Sequence, residues 1–342
     1  PLPEWTAGEA RAPLTCGELV QGTIGGRDFL ISCPIPLYAR ARVCLQSAEP
    51  TPAGSGEPMS ISVEHTILPP GAPRSIPGPV EKAVRALEVT LLALGRKARR
   101  AFIHLMTPGL PGKGLGTSTA DILATAGATA AALGARLQPE ELARIGLAIE
   151  PSDSTMFPGL ALLDHRRSTL MKPVGSPPPM GLIMLDLGGE VDTQQFNRRP
   201  DLEALNRQKE PLVREALRFV LRGIKRGDPV LVGRGATASA LAHHAILPRP
   251  GLPELVREVC RRGALGVVNA HSGTVLGVLL PPCPHTRKLV AELLSGWPGV
   301  TVLGLTHITG GGVTAWRTAD AYGKLPEAWE WTPLRSWISA PT

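Results

Sequence analysis

Aromatic side chains are scarce in this sequence, since only 4% of its 342 residues are Phe, Trp or Tyr. Aliphatic and small side chains must therefore fill the core, which is typical of proteins that mix helices with sheet. No apolar run approaches the ~20 residues that a membrane-spanning helix needs. Glu4, Glu9 and Arg11 interrupt any apolar signal segment at the start. These absences predict a soluble, cytoplasmic protein.

Metal-binding and disulfide patterns are also lacking. The five cysteines are an odd number and form no CxxC pair, which argues against a zinc knuckle and a disulfide framework. His271 has no partner at a metal-ligand spacing, and His243 and His244 are neighbours in a predicted helix, where adjacent side chains point apart. The sequence predicts reduced thiols and no zinc site.

The positive net charge is not concentrated in one part of the sequence. The formal charge is +7, but the arginines are spread along the chain and only residues 96–100 (RKARR) approach a cluster. A nucleic-acid surface needs basic residues massed on one face with aromatic residues between them. A solvated basic surface is therefore favoured over nucleic-acid binding, and the charge also suits an anionic substrate such as ATP.

The length of the chain predicts two domains. A break in composition falls at residues 173–179 (PVGSPPP), so we expect a first domain over 1–173 and a second over 174–320. Residues 50–79, dense in Pro and Gly, indicate a surface excursion within the first domain.

Three tryptophans spaced among prolines distinguish residues 321–342, namely Trp329, Trp331 and Trp337. They predict a C-terminal arm that packs on the body of the protein. The alternative is an arm that reaches a second subunit of a homodimer.

Apolar periodicity and turn residues predict the secondary structure. Strands are expected over residues 39–45, 61–67, 101–106, 181–187, 265–269, 274–280 and 300–305. Helices are expected over residues 80–94, 118–133, 139–149, 201–225, 229–245, 253–262 and 286–295.

A glycine-rich segment, residues 111–120 (PGKGLGTSTA), lies between a predicted strand and a predicted helix. Closely spaced glycines let backbone N–H groups approach a phosphate, and the helix N-terminus adds partial positive charge there. A hydroxyl in the first helical turn can ligate a Mg²⁺ ion that bridges phosphates. The candidate nucleotide-binding residues are Pro111, Gly112, Lys113, Gly114, Leu115, Gly116, Thr117, Ser118 and Thr119.

Two familiar phosphate loops do not fit this segment. A Walker A loop ends in Gly-Lys-Ser/Thr, whereas Lys113 precedes the last two glycines, and a Rossmann fingerprint would need glycine at Thr117. Two alternatives remain open: a helix cap, in which Thr117 or Ser118 only satisfies free N–H groups, and a Lys113 side chain that points to solvent instead of touching a phosphate.

Three segments in order resemble the motifs of the GHMP kinases, the superfamily of galactokinase, homoserine kinase, mevalonate kinase and phosphomevalonate kinase. Residues 111–118 contain the PxxxGLGxS string of the second motif. Residues 12–22 (APLTCGELVQG) resemble the first motif, a proline-led strand and turn beside the substrate. Residues 269–277 (NAHSGTVLG) resemble a reduced form of the third, glycine-rich motif.

The resemblance implies an α+β fold with an N-terminal domain like ribosomal protein S5 and a C-terminal ferredoxin-like α/β sandwich. Nucleotide and substrate would meet in the cleft between them. Two segments resemble the bacterial L-threonine kinases: residues 15–22 (TCGELVQG), and residues 150–156 (EPSDSTM) leading to 163–165 (LDH). Those enzymes make O-phospho-L-threonine for the aminopropanol linker of adenosylcobalamin. The alternatives are another small alcohol, such as homoserine or a mevalonate-like acceptor, and a non-catalytic nucleotide or metabolite binder.

By this resemblance, Ser118 and Glu150 would hold Mg²⁺, which favours hard oxygen ligands. Asp153 is the candidate for orienting or deprotonating the substrate hydroxyl. The alternative reading makes Ser152 and Asp153 the N-cap of a following helix.

The remaining candidates would contact the substrate or the phosphates. Glu18 and Gln21 are expected to hold the ammonium or hydroxyl of the amino acid, with a plain surface turn as the alternative. Asp164 and His165 could enter the site but are better explained as an ordinary hydrogen-bonded pair. The residues expected to face the phosphates or the substrate across the cleft are Ser272, Gly273 and Thr274.

These motifs predict that calorimetry in magnesium buffer detects ATP binding, because backbone amides of residues 112–118 would surround the triphosphate. Ser118→Ala should weaken the use of Mg·ATP, since it removes an oxygen ligand of the ion. A chain without affinity for adenine nucleotide would contradict the kinase interpretation as a whole.

Overall fold

The computed structural model describes residues 5–47, 59–68, 77–108, 112–189 and 199–318, which form eleven strands and seven helices. The strands are β1 (Trp5–Ile24), β2 (Arg27–Ser47), β3 (Ser60–Leu68), β4 (Ala98–Pro108), β5 (Leu160–Leu163), β6 (Met171–Gly175), β7 (Gly181–Asp186), β8 (Gly266–Asn269), β9 (Val275–Leu280), β10 (Thr301–His307) and β11 (Thr314–Thr318). The helices are α1 (Pro77–Ala93), α2 (Thr117–Ala132), α3 (Pro139–Leu147), α4 (Leu202–Arg226), α5 (Pro229–His244), α6 (Leu252–Arg261) and α7 (Pro284–Ser295).

All eleven strands join one sheet, in the order β10-β7-β9-β8-β1-β2-β4-β3. In addition, β11 pairs with β1, and β5 pairs with β2 and β6. Only β3 and β4 run parallel; the other described pairs are antiparallel. The strands from β7 to β10 reach the rest of the sheet through one residue pair, Glu18 on β1 and Asn269 on β8.

Turn and cap residues explain where the main elements begin and end. Gly25 and Gly26, with φ values of 59° and 75°, form the two-residue turn that lets β1 and β2 run together as a long hairpin. Helix α4 ends at Gly227 in the left-handed conformation. Asp228 then caps α5, because its carboxylate accepts from two backbone N–H groups of the first turn.

The alanine-rich helix α2 packs closely on β1 and β2. Fifteen of its sixteen residues are buried, and their mostly small side chains let the backbones of helix and sheet approach each other. A Cβ atom at Gly8 of β1 would lie 2.3 Å from the Ala132 nitrogen and 2.4 Å from the Ala128 carbonyl oxygen. This close packing seats the C-terminal half of α2 directly on β1. No helix in the described ranges has both the length and the apolar character needed to cross a membrane.

Most predicted elements are confirmed within a few residues at each end, and so is the α+β class. The exception is β2, which begins at Arg27, twelve residues before the strand predicted over 39–45. Three short strands, β5, β6 and β11, and the first half of β1 were not predicted. Pro111, much of residues 50–79 and the whole arm over 321–342 lie outside the described residues. The division into residues 1–173 and 174–320 stays a prediction.

The Gly8 contact predicts that Gly8→Ala lowers the free energy of unfolding by about 1–3 kcal/mol, because the added methyl group meets immobile backbone atoms. Denaturant unfolding measures this change. The matched control is Gly296→Ala, where the nearest atom would be 3.9 Å away; it should change stability by less than about 0.5 kcal/mol.

Candidate active site

The phosphate-loop segment, residues 112–116, is anchored by backbone contacts to the other two motifs. The Lys113 carbonyl oxygen accepts from the N–H groups of Thr274 at 3.0 Å and Val275 at 2.9 Å. The Leu115 carbonyl oxygen accepts from the Thr15 N–H at 2.9 Å. A Cβ atom at Gly273 would lie only 2.4 Å from the Gly114 Cα. The three motifs thus converge on one point of the fold.

The first turn of α2 is free of side-chain caps. Gly116 is the N-cap residue, with a φ of 65°, and no side chain caps the helix. The Ser118 hydroxyl instead donates to the Glu150 carboxylate. The alternative in which Thr117 or Ser118 merely caps the helix is therefore wrong. The amide groups at this helix start, with its partial positive charge, can receive an anion.

Ser118 and Glu150 form a small ionic cluster with Lys82 of α1. The Lys82 ammonium lies 2.8 Å from the Ser118 Oγ and 2.7 Å from the Glu150 Oε2. A hydroxyl and a carboxylate in contact supply the hard oxygen atoms that Mg²⁺ prefers, so these residues fit such an ion. Sequence reasoning missed Lys82, because nothing in a regular amphipathic helix distinguishes one lysine from the others.

Asp153 lies against the same loop. A Cβ atom at Gly116 would be 2.6 Å from the Asp153 Oδ2, so only glycine leaves room for this carboxylate. The Asp153 N–H donates to the Thr119 Oγ1 at 3.2 Å. The alternative in which Ser152 and Asp153 cap a following helix is wrong, because the chain continues through turns into β5.

Glu18 is buried beside Asp153, with only 2% of its surface exposed. Burial raises the pKa of Glu18 well above its usual range, and the charge of Asp153 raises it further. Burial also raises the pKa of Asp153, although hydrogen bonds from Glu18 and Thr119 lower it in part. The two carboxyl groups interact closely, and burial makes each of them hold a proton more tightly than in water.

Gln21 and the third motif form a second polar group. The Gln21 amide donates to the Asn269 carbonyl oxygen at 3.3 Å and to its Oδ1 at 3.2 Å, and the Gln21 Oε1 accepts from the His271 Nδ1 at 2.6 Å. Gln21 and Glu18 are both buried, so the alternative of a plain surface turn is wrong for both.

The third-motif loop, residues 270–274, is held from both sides. The Thr274 hydroxyl donates to the Asp186 Oδ1 at 2.6 Å, and the Lys113 ammonium lies 3.1 Å from the Asp186 Oδ2. The Lys113 side chain therefore bridges two loops instead of pointing to solvent. The buried Arg249 guanidinium donates to the carbonyl oxygens of Ala270 at 3.2 Å and Gly273 at 2.5 Å.

Asp164 and His165 do not form the expected hydrogen bond. The Asp164 carboxylate accepts from the N–H groups of Arg166, Arg167 and Thr169 and so stabilises a turn. His165 is buried, and its Nδ1 has no hydrogen-bond partner among the described residues. The backbone of His165 lies beside the segment that leads to Asp153, since its carbonyl oxygen accepts from the Ser152 N–H at 3.2 Å.

Several known proteins are similar to this chain in sequence. The family model for the GHMP kinases N terminal domain matches residues 80–158. An L-threonine kinase from Salmonella typhimurium is 32% identical over 308 residues, which cover 88% of this chain and 94% of that protein. An L-threonine kinase from Citrobacter freundii is 29% identical over 308 residues, 88% of this chain and 98% of that protein.

Solved structures of lower identity share the fold. A homoserine kinase from Cytophaga hutchinsonii superposes with a TM-score of 0.64 at 15% identity, covering 90% of this chain and 97% of that one. A mevalonate diphosphate decarboxylase from Enterococcus faecalis gives 0.66 at 16% identity, covering 92% and 100%. The converging motifs, the similarity in sequence and the shared fold lead to one conclusion: the chain belongs to the GHMP kinase family.

Proposed function

We propose that this chain is an ATP-dependent kinase that phosphorylates the side-chain hydroxyl of L-threonine. The observation that carries the proposal is the contact of Asp153 with the phosphate loop at Gly116, because it brings a carboxylate to the position where an acceptor hydroxyl must meet a transferred phosphoryl group. The two L-threonine kinases that are similar over 88% of the chain support threonine as the acceptor. The product would be O-phospho-L-threonine, a precursor of the aminopropanol linker of adenosylcobalamin.

The triphosphate would lie on the N-terminus of α2. The amides of residues 112–118 and the helix dipole favour an anion there. Lys82 and Lys113 add positive charge on two sides of the loop. Phosphoryl transfer depends mainly on positioning and charge neutralisation, and this loop supplies both.

The Ser118 Oγ and the Glu150 carboxylate would hold Mg²⁺. The bound ion would neutralise negative charge on the phosphates. Lys82, which contacts both of these side chains, keeps them together and is free to turn toward a phosphate once the cation takes its place.

Asp153 would act on the acceptor. The threonine oxygen attacks the γ-phosphorus, the bond from that phosphorus to the bridging oxygen of ADP breaks, and the hydroxyl proton passes to Asp153. Protonated Glu18 keeps Asp153 ionised by donating a hydrogen bond to it. Asp153 would also orient the hydroxyl. In a reaction in which the hydroxyl proton leaves only after phosphoryl transfer, orientation is its whole role.

Two other functions are tested against this one. A kinase of the same family could accept another small alcohol, since a pocket rejects one extra methylene by only ~1–3 kcal/mol. A non-catalytic nucleotide binder would bind ATP without turnover, but it has no need for Ser118, Glu150 and Asp153 together.

An assay of ADP release separates these functions. Serine, threonine, homoserine, mevalonate and galactose are offered in turn with Mg·ATP, and threonine should give the highest kcat/KM. Stimulation by homoserine or mevalonate with threonine silent would contradict the acceptor and leave the family unchanged. ATP binding without ADP release for any acceptor would favour the binder.

Asp153→Asn should lower kcat by about 10²–10⁴-fold while ATP affinity persists, because the amide cannot take a proton. Steady-state kinetics and calorimetry on one preparation measure both quantities. In the unchanged protein, kcat should fall as pH drops through the pKa of Asp153. Because burial raises that pKa, the loss should occur above the usual aspartate value of about 3.9.

Glu18 offers a control for the protonation state of the pair. Glu18→Gln keeps a hydrogen-bond donor toward Asp153 and should retain most of the activity, whereas Glu18→Ala removes the donor and should lose it. Full activity in Asp153→Asn would exclude the proton transfer from the scheme.

A further inference from the structure

A small polar cleft, with about 30 Å³ of internal space, opens beside the candidate active site. Its walls come from β1, β2, α4, α5 and the loops that follow β5 and β8. One wall is His165, whose carbonyl oxygen accepts from the Ser152 N–H, and another is His271, which is bonded to Gln21. Hydrogen bonds therefore connect the cleft lining to Ser152, the neighbour of Asp153 in sequence, and to the first motif.

Lys209 of α4 is a buried cation in this cleft. Only 6% of its surface is exposed, and it forms no salt bridge with a described residue. Its contact is the His243 Nδ1, at 3.4 Å. Burial lowers the pKa of Lys209 to about 8. The charge of Asp28 offsets only part of this effect. A buried ammonium that forms no salt bridge destabilises the fold, so its presence needs another explanation.

The three histidines of the cleft do not supply the missing negative charge. Burial lowers the pKa of His165 to about 4, and it lowers the pKa values of His243 and His271 well below their usual range, so all three rings are neutral. The His243 Nε2 donates to the His271 carbonyl oxygen at 2.8 Å, which leaves its Nδ1 as an acceptor for Lys209. The buried Nδ1 of His165 has no described partner.

Asp28 provides the only carboxylate in the cleft lining. It accepts from the Thr23 hydroxyl at 2.5 Å and lies 3.3 Å from the Arg166 guanidinium at the exposed side. The cleft thus has an ammonium deep inside and a carboxylate nearer the rim. This arrangement is complementary to a small zwitterion.

We propose that this cleft holds the α-carboxylate and the α-ammonium of the amino-acid acceptor, and that Lys209 selects acceptors that carry a carboxylate. The inference rests on the proposed function, because it assigns the cleft to the substrate of that reaction. Lys209 contacts the carboxylate and Asp28 the ammonium. A buried charge-assisted hydrogen bond of this kind discriminates strongly against a neutral analogue, since the analogue leaves the ammonium unpaired.

Lys209→Met tests the proposal with L-threonine and with L-threoninamide, in which a neutral amide replaces the carboxylate. The unchanged protein should have a lower KM for threonine than for threoninamide. Lys209→Met should raise the KM for threonine by about 10–100-fold and leave the KM values for threoninamide and ATP unchanged. Lys209→Arg should recover part of the preference. The matched control is Lys225→Met, an exposed lysine of the same helix, which should alter none of these values.

The thermal midpoint separates recognition from a structural role. Because Lys209→Met removes an unpaired buried charge, its midpoint should equal or exceed that of the unchanged protein. A lower midpoint with equal losses for both acceptors would overturn the proposal, and so would an unchanged KM for threonine in a protein that phosphorylates it.

Calorimetry with threonine alone distinguishes a wrong assignment of the cleft from a wrong proposed function. Threonine that binds to the unchanged protein but not to Lys209→Met, without phosphoryl transfer, would support the cleft and contradict the proposed function. Threonine that neither binds nor reacts would overturn both.

Discussion

The close approach of three backbone segments is the constraint on which the rest of this structure depends. The Lys113 carbonyl oxygen accepts two N–H groups from the third motif, and Gly114 meets Gly273 at a separation that excludes any side chain. Gly17 lies equally close to Asn269, where an added Cβ would be 2.4 Å from the carbonyl carbon. Glycine is therefore needed at these points for packing, and only secondarily for any ligand.

This convergence gives the site its electrostatic character. The start of α2 stays free to receive an anion, because neighbouring segments and not capping side chains hold the loop in place. Acidic groups lie next to it: Glu150 is paired with Lys82, and Asp153 lies beside Glu18, whose pKa burial raises well above its usual range. The cleft with Lys209 lies beyond them. The helix start, the carboxylates and the buried ammonium together suit the proposed reaction between a triphosphate and a zwitterion.

Much of the fold was predictable, for reasons that particular elements make clear. Helices such as α4 show strong apolar periodicity, and α5 begins with Asp228 and Pro229, a clear start signal. The first half of β1 escaped prediction because it is buried on both faces, so its apolar and polar residues do not alternate. Its Gly25-Gly26 turn was a usable signal for a hairpin. β5 and β11 are too short to show a period.

The sequence by itself determined the family and the residues that its motifs contain, because the backbone chemistry of a glycine loop is local and leaves a recognisable string. Ser118, Glu150 and Asp153 belong to that part. Only the tertiary structure decided which side chains meet them: Lys82 lies 36 positions before Ser118 along the chain. The same holds for Lys209 and the three histidines, which come from separate segments. Burial and proximity set their charge states, and both arise only when the chain has folded.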